Sequence, residues 1–312
     1  MTKGAEQMRK LKSLLLCIVV IMCNSNYTYA NNPDKWMPSG SVVEMSILLK
    51  RPYVAQSLDI DEHILQEQDI IQRIIYNEKE ITSLEQMYEL MKLENEIMEI
   101  EYLRNGRLNS EKISSTQLRS YRLKDIIGCA GTITAIDKKG NFIGIAHSLK
   151  LNNTKVNIEK GVVFDTSYVQ EVKSIDGNIG SLITNSSSKK LGTIDTMTDY
   201  GLQGEFSKKE YKKEKAIEIS KPKKGKAYIL CQTPISNEIK MHEIEITKVG
   251  KKSSYIKIID ESLIKYRGGG VVGMSGSPII QDNKLVGGFS HVVKKDTTKG
   301  KIANIESMLG IQ

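Results

Sequence analysis

Apolar residues alternate along most of this chain, which is the pattern of strands with one buried face. Residues 42–49 read as a strand stopped by Pro52, and residues 68–75 as another, closed by the turn Asn77-Glu78-Lys79-Glu80. Thr82 with Glu85 three residues on forms a capping box, and the helix it opens sets Leu84, Met87, Tyr88 and Met91 on one face. Residues 97–103 alternate again and run into Asn105-Gly106, a tight-turn pair. Residues 128–137 predict a strand, Lys138 to Asn141 a hairpin turn, and residues 142–146 the returning strand. Near the end, Ile279-Ile280 and residues 284–292 are strands about the polar turn Gln281-Asp282-Asn283. A helical period shows in only one short stretch. The chain is therefore mainly β, with a small α/β module over residues 40–125 and a β domain over 126–312.

At 312 residues there is chain enough for two modest domains, each with its own core. The hydrophobic and charged fractions, 39% and 26%, are those of an ordinary soluble protein. The net charge is +8, and lysines far outnumber acids between Lys208 and Lys226. With so few aromatics that run reads as a solvated face, ahead of nucleic-acid binding and then of an anionic membrane surface. The N-terminus changes the picture more. Residues 3–12 are basic, 14–23 apolar, and Thr28-Tyr29-Ala30 ends the segment. Residues 1–30 thus read as a Sec-type export signal, with a retained membrane anchor as the alternative. Leu16 before Cys17 argues against lipidation. Beyond residue 30 the cysteines are Cys129 and Cys231, both in apolar strand contexts and read as buried thiols. With histidine so scarce, no structural zinc site is expected, and no other metal or cofactor is implied.

The candidate chemistry centres on Gly273-Met274-Ser275-Gly276-Ser277-Pro278. A serine between glycines on a tight turn, with an apolar strand behind it, has the form of an exposed nucleophile. The N–H groups of Gly273 and Ser275 can then aim at one point, as an oxyanion hole requires. Turn, strand, turn, strand in this order resembles the nucleophile hairpin of trypsin-like serine proteases. A plain Gly/Ser turn between two strands is the competing reading. His147 ends a strand upstream, after the small residue Ala146, and is the candidate general base. His63 and His242 lie in charged surroundings and read as surface residues. Ser290 and His291, near the end of the strand after the nucleophile, are placed to line a substrate pocket.

Further motifs recur in a fixed order: Gly128-x-x-Gly131-Thr132, Gly144-x-x-His147, Gly180, Gly192-Thr193-Ile194, Gly201-x-x-Gly204, Gly225-Lys226-Ala227, the serine motif, and Ser290-His291-Val292. Together they resemble the SpoIVB-type sporulation peptidases, over residues 126–309. One departure is Ala-His-Ser around His147, where that family has Gly-His-Gly. The resemblance implies a trypsin-like double β-barrel protease domain preceded by a PDZ domain. It also implies export across the inner forespore membrane and cleavage of a membrane-associated regulatory protein. That cut would release an intramembrane protease that activates a late sigma factor. Self-cleavage is a further possibility, and the protein is membrane-proximal on this reading.

Residues 40–125 resemble the second half of a PDZ domain in the order strand, turn, helix, strand, Asn-Gly turn, strand. Gln68 stands where that family has glycine, and neither a first helix nor a glycine-rich carboxylate-binding loop is present, so the module is a degenerate one. A generic α/β mini-domain that merely holds the protease is the alternative. For the triad acid, two arguments compete. The SpoIVB resemblance implies Asp260, a short distance before the serine motif, whereas trypsin-like topology implies Asp195 or Asp199. Asp260 is preferred, with Asp195 in reserve. The reading from residues and resemblance together is an exported serine endopeptidase with His147, Asp260 and Ser275 as its triad. The rivals are a protease-fold scaffold that binds a membrane partner without cutting it, and an esterase, whose nucleophile elbow would enter a helix instead.

Overall fold

Two long strands frame the architecture. In the computed structural model, which describes residues 35–58, 64–175, 177–207, 215–233 and 238–311, a short β1 (Lys35–Pro38) leads into β2 (Val42–Ser57). In the first half of β2, Val43, Met45, Ile47 and Leu49 are buried in alternation, as a strand with one face on a core requires. The expected stop at Pro52 proves to be a break in pairing only. Proline lacks an N–H and interrupts the ladder, so pairing with the neighbouring strand shifts register between Leu48 and Tyr53 while β2 runs on to Ser57.

The second half of β2 enters the small module. There β3 (Ile70–Tyr76), β4 (Lys79–Ile81), α1 (Leu84–Leu90), β5 (Ile97–Arg104), β6 (Arg107–Ser114) and α2 (Ser115–Leu118) follow in turn. The cap of α1 is Ser83, whose side chain accepts from the Gln86 N–H, one residue later than the Thr82–Glu85 box implies; serine caps at least as well as threonine. Met87, Leu90 and Met91 are buried, whereas Tyr88 stays partly in solvent and donates its hydroxyl to the Leu123 carbonyl. Asn105 and Gly106 both take positive φ, as a two-residue hairpin demands. Gln68 sits at φ 70°, a left-handed value that glycine would adopt without a Cβ penalty. Helix α2 has no counterpart in the sequence reading, although Ser114 and Gln117 form a full capping box.

Leaving the module, β7 (Tyr121–Ile136) pairs first with the far half of β2 and then with residues 42–48. It is followed by β8 (Asn141–Gly144), the hairpin β9 (Lys150–Leu151) and β10 (Thr154–Lys155), then β11 (Ile158–Val172), β12 (Ser181–Thr198), β13 (Gly201–Phe206) and β14 (Ile217–Glu218). Pairing runs β2-β7-β8-β13-β12-β11 and back to β2, so six strands close a ring around Met45, Ile133, Phe142, Val163 and Ile194. Residues 42–49, which the sequence pattern assigns to the module, are the first strand of this ring. The module is inserted between its first and second strands.

The rest of the chain repeats the plan. It holds β15 (Gly225–Gln232), β16 (Ile239–Lys248), β17 (Ser253–Ile258), α3 (Glu261–Arg267), β18 (Pro278–Gln281), β19 (Lys284–Val293), β20 (Asp296–Asn304) and α4 (Ile305–Leu309). The order β15-β16-β17-β20-β19-β18 closes a barrel. Numbered by chain order within each ring, both wind as 1-2-3-6-5-4. A third apolar cluster, including Trp36, Ala135, Ile143, Ile280, Leu285, Ile305 and Met308, draws on strands of both rings and on α4. Deeper, Arg267 at the end of α3 is fully buried and donates through Nε to Glu171 of β11 at 2.9 Å and through Nη2 to the Gln232 carbonyl at 3.0 Å. Cys129 and Cys231 are free thiols whose pKa burial pushes up to about 11. Among the described residues no helix is long and apolar enough to cross a membrane. The expected export segment, residues 1–30, lies outside the described residues, as does His63.

Candidate active site

Ser275 stands in the short segment between α3 and β18. Gly273 and Gly276 flank it at φ 99° and 101°, values that side chains other than glycine rarely adopt. The turn is clamped to β7 of the other ring. Thr132 donates its N–H to the Ser275 carbonyl at 2.9 Å and its hydroxyl to the Gly273 carbonyl at 2.8 Å, and the Thr134 hydroxyl donates to the Gly276 carbonyl at 2.6 Å. A Cβ on Gly276 would stand 1.9 Å from the Thr132 carbonyl oxygen. Gly276→Ala must therefore push the two rings' backbones apart at the serine. A displacement of about 1 Å at a reacting group can cost about 100-fold, and we expect a loss of at least that size in turnover with the circular dichroism unchanged. Near-normal turnover would show that the clamp does not set the serine's position.

His147 comes from the first ring, just beyond β8. The strand ends because Ile145 and Ala146 turn to φ 64° and 54°, and the Ala146 N–H bonds back to the Gly144 carbonyl at 2.8 Å. That is a γ-turn of the strained kind, unusual for a β-branched residue. Burial of both side chains holds it. The turn brings His147 Nε2 to 3.0 Å from Ser275 Oγ, while Nδ1 lies 3.0 Å from the Ser148 carbonyl oxygen. A carbonyl can only accept, so Nδ1 carries the proton and the Nε2 lone pair faces the serine. Ser275 Oγ also donates to the Ser290 carbonyl at 3.0 Å. The N–H groups of Gly273 and Ser275 are engaged by no acceptor among the described residues.

A serine hydroxyl and an imidazole brought together from two rings sit inside a recognised sequence family: the SpoIVB peptidase S55 model matches residues 120–309. The chain belongs to the SpoIVB peptidase S55 family. It is a serine peptidase, and its substrates are proteins. Comparison with curated proteins gives no match. Among solved structures, the active form of the Rv3671c protease from M. tuberculosis aligns at 12% identity and a TM-score of 0.34, over 59% of this chain and 72% of that one. The HtrA-type protease AlgW with decapeptide aligns at 8% identity and a TM-score of 0.34, over 87% of this chain and 63% of that one.

In this S55 peptidase a second histidine packs beside His147. The rings of His147 and His291 lie 4.8 Å apart, and His291 Nδ1 is 2.6 Å from Ser290 Oγ. Burial lowers the pKa of His147, outweighing the Ser148 carbonyl, which favours the charged ring; Lys150 adds to the lowering. His291 keeps an exposed edge, yet partial burial of its ring, followed by the positive charge of His147, Lys301 and Lys150, takes its pKa down to about 4. Both rings are neutral at pH 7. A base works only unprotonated, so a lowered pKa shifts the acid limb of the pH profile downward. We expect the acid-side midpoint of kcat/KM below 6.5, the ordinary histidine value. A midpoint above that value would contradict the buried, uncharged base.

The carboxylates expected to complete a triad are elsewhere. Asp260 is the N-cap of α3: Oδ1 accepts from the Leu263 N–H at 2.9 Å and from the Ser262 hydroxyl. Its Oδ2 faces His242 Nδ1 at 3.2 Å and the Glu243 N–H at 3.4 Å. Burial alone would raise the Asp260 pKa, but the Ser262, Leu263, His242 and Glu243 interactions together bring it down to about 2. His242, read from sequence as a surface residue, is buried as its partner. Asp195 is exposed on β12, and Asp199 pairs with Lys155 at 2.5 Å. Among the described residues, the hydrogen-bond partners of the His147 ring are the Ser148 carbonyl and Ser275 Oγ, with no carboxylate among them. Asn caps a helix as well as Asp does, so Asp260→Asn is expected to leave turnover within an order of magnitude. Loss of a triad acid costs about 10⁴-fold, and a drop of that size in the purified variant would return Asp260 to the catalytic machinery.

Proposed function

We propose that this S55 peptidase is an exported serine endopeptidase of endospore formation that cuts a membrane-associated regulatory protein and so triggers late sigma-factor signalling. The observation that carries the catalytic part is the 3.0 Å approach of His147 Nε2 to Ser275 Oγ across the two rings. We read those rings, wound alike, as the double β-barrel of trypsin-like proteases. The sporulation role rests on family membership, and export on the basic and apolar pattern of residues 3–30.

Each step then has an atom to perform it. The Ser275 hydroxyl turns from the Ser290 carbonyl to His147, and Oγ attacks the scissile carbonyl carbon as its proton passes to Nε2. The oxygen of that carbonyl becomes an anion held by the free N–H groups of Gly273 and Ser275. When the C–N bond breaks, Nε2–H gives the proton to the leaving amine and an acyl-serine remains. Water attacks the ester, giving a proton to Nε2; the C–Oγ bond breaks, and Ser275 recovers its proton from His147. Throughout, the Ser148 carbonyl holds Nδ1–H and stabilises the transient imidazolium, the part a carboxylate plays in a full triad.

The module, a degenerate PDZ-like unit on this reading, serves to position the protease. The hairpin just after His147 rests on it: the Asn152 N–H donates to Gln68 Oε1 at 2.9 Å, and the Gly106 N–H donates to Thr154 Oγ1 at 2.8 Å. The function is tested by placing Ser275→Ala in a sporulating host lacking the wild-type chain. Late sigma-factor activity should fail to appear although the variant accumulates; normal activity would rule the signalling role out.

A further inference from the structure

The catalytic geometry above also fixes where a substrate side chain must go. For attack, the substrate carbonyl carbon lies at Ser275 Oγ and its oxygen lies at the Gly273 and Ser275 N–H groups. The Ser290 carbonyl, 3.0 Å from Ser275 Oγ, is then the acceptor within reach of the same residue's own N–H. These contacts direct its side chain between the two segments that flank the serine, residues 268–272 and 290–298. That space is already filled. The Phe289 ring is 1% exposed and lies between two glycines: a Cβ on Gly270 would meet Phe289 Cζ at 2.9 Å, and a Cβ on Gly300 would meet Phe289 Cε2 at 2.4 Å. Val292 closes the same side, with Cγ2 2.8 Å from the Gly270 Cβ position. The two segments are also stitched together, the Gly270 N–H donating to the Thr297 carbonyl at 2.7 Å and the Thr297 hydroxyl to the Gly268 carbonyl at 2.6 Å.

Resting on the Ser275–His147 reading, we propose that the residue whose carbonyl is attacked must carry a small side chain, glycine, alanine or serine, because Phe289 and Val292 occupy the specificity pocket. Close packing makes the restriction steep, since each methylene that cannot be accommodated costs about 10-fold or more. The protein substrate is therefore cut after a small residue in an extended segment, and aromatic or basic residues at that place are refused.

The test uses the full chain and peptidyl diphenyl phosphonates that differ only in the side chain next to phosphorus. Attack forms an Oγ–P bond and expels phenol, so labelling of Ser275 is read by intact mass. Alanine and glycine analogues should label at least about 100-fold faster than phenylalanine and lysine analogues. In Val292→Gly, a half-buried wall position, the alanine-to-leucine rate ratio should fall by about 10-fold or more. Equal rates for alanine and phenylalanine analogues in the wild type, or an unchanged ratio in Val292→Gly, would overturn the filled pocket. A small fluorophosphonate with no such side chain separates the two levels of the argument. If it labels Ser275 while the phosphonates fail to discriminate, only the pocket is wrong; if it does not label Ser275, the nucleophile assignment falls and the pocket with it.

Discussion

Ser275→Ala and His147→Ala should each lower turnover by about 10⁴- to 10⁶-fold, and the double variant should lose little more than either alone, because nucleophile and base act as a unit. The physical reason is in the geometry. Without His147 the serine proton has no base to receive it, since the Ser290 carbonyl cannot be protonated at neutral pH. Without Ser275 the base has only water to activate, and water is not held at the attack position. The His147–Ser275 hydrogen bond is one link between the rings among several, since the clamp at the nucleophile turn joins the carbonyls of residues 273, 275 and 276 to the Thr132 N–H and the Thr132 and Thr134 hydroxyls. Melting temperatures of both variants should therefore match the wild type. A multiplicative loss in the double variant would show that the two residues work independently.

Arg267→Met should be strongly destabilising. Arg267 and Glu171 have side chains 0% and 5% exposed, so removing the cation strands a carboxylate in a low-dielectric interior. Breaking a buried pair in this way costs about 3–5 kcal/mol. At about 2–4 °C per kcal/mol for a body of this size, the melting temperature should fall by about 10 °C. Activity should fall too, because the Arg267 side chain holds Glu171 at the end of β11, and the β11–β12 hairpin that follows pairs through Gly180 and Leu182 with Val272, next to Gly273. The double variant Glu171→Gln/Arg267→Met removes the stranded charge and should regain a large part of the lost stability. A single-variant loss under about 1 kcal/mol would mean that the pair is effectively solvated.

The pairing of His147 with Ser275 was legible in the sequence because their neighbours are informative: glycines around the serine, and the small residue Ala146 before the histidine. The strands were legible wherever side chains alternate. What the sequence hid falls into two kinds. Asp260 follows an apolar run and precedes a helix, and in one dimension a helix cap and a triad acid look the same; only the His242 partner separates them. The Ser148 and Ser290 carbonyls are backbone atoms, so no side-chain pattern reports them. The opening strand of the first ring is hidden differently. It is separated from its partner β7 by the whole inserted module, and local pattern assigns it to whatever comes next. The γ-turn at Ile145 violates local preference altogether, because tertiary packing and not local propensity places His147 beside Ser275.

On the proposed mechanism a neutral His147 activates Ser275 without a carboxylate behind it. The most direct test of that mechanism is the pH dependence of fluorophosphonate labelling of Ser275, followed by intact mass, in the wild type, His147→Ala and Asp260→Asn. One label per chain at Ser275 is predicted, with an acid limb below pH 6.5 that is the same in Asp260→Asn and a rate that collapses in His147→Ala. Labelling that survives His147→Ala, or collapses in Asp260→Asn while the fold is intact, would contradict it.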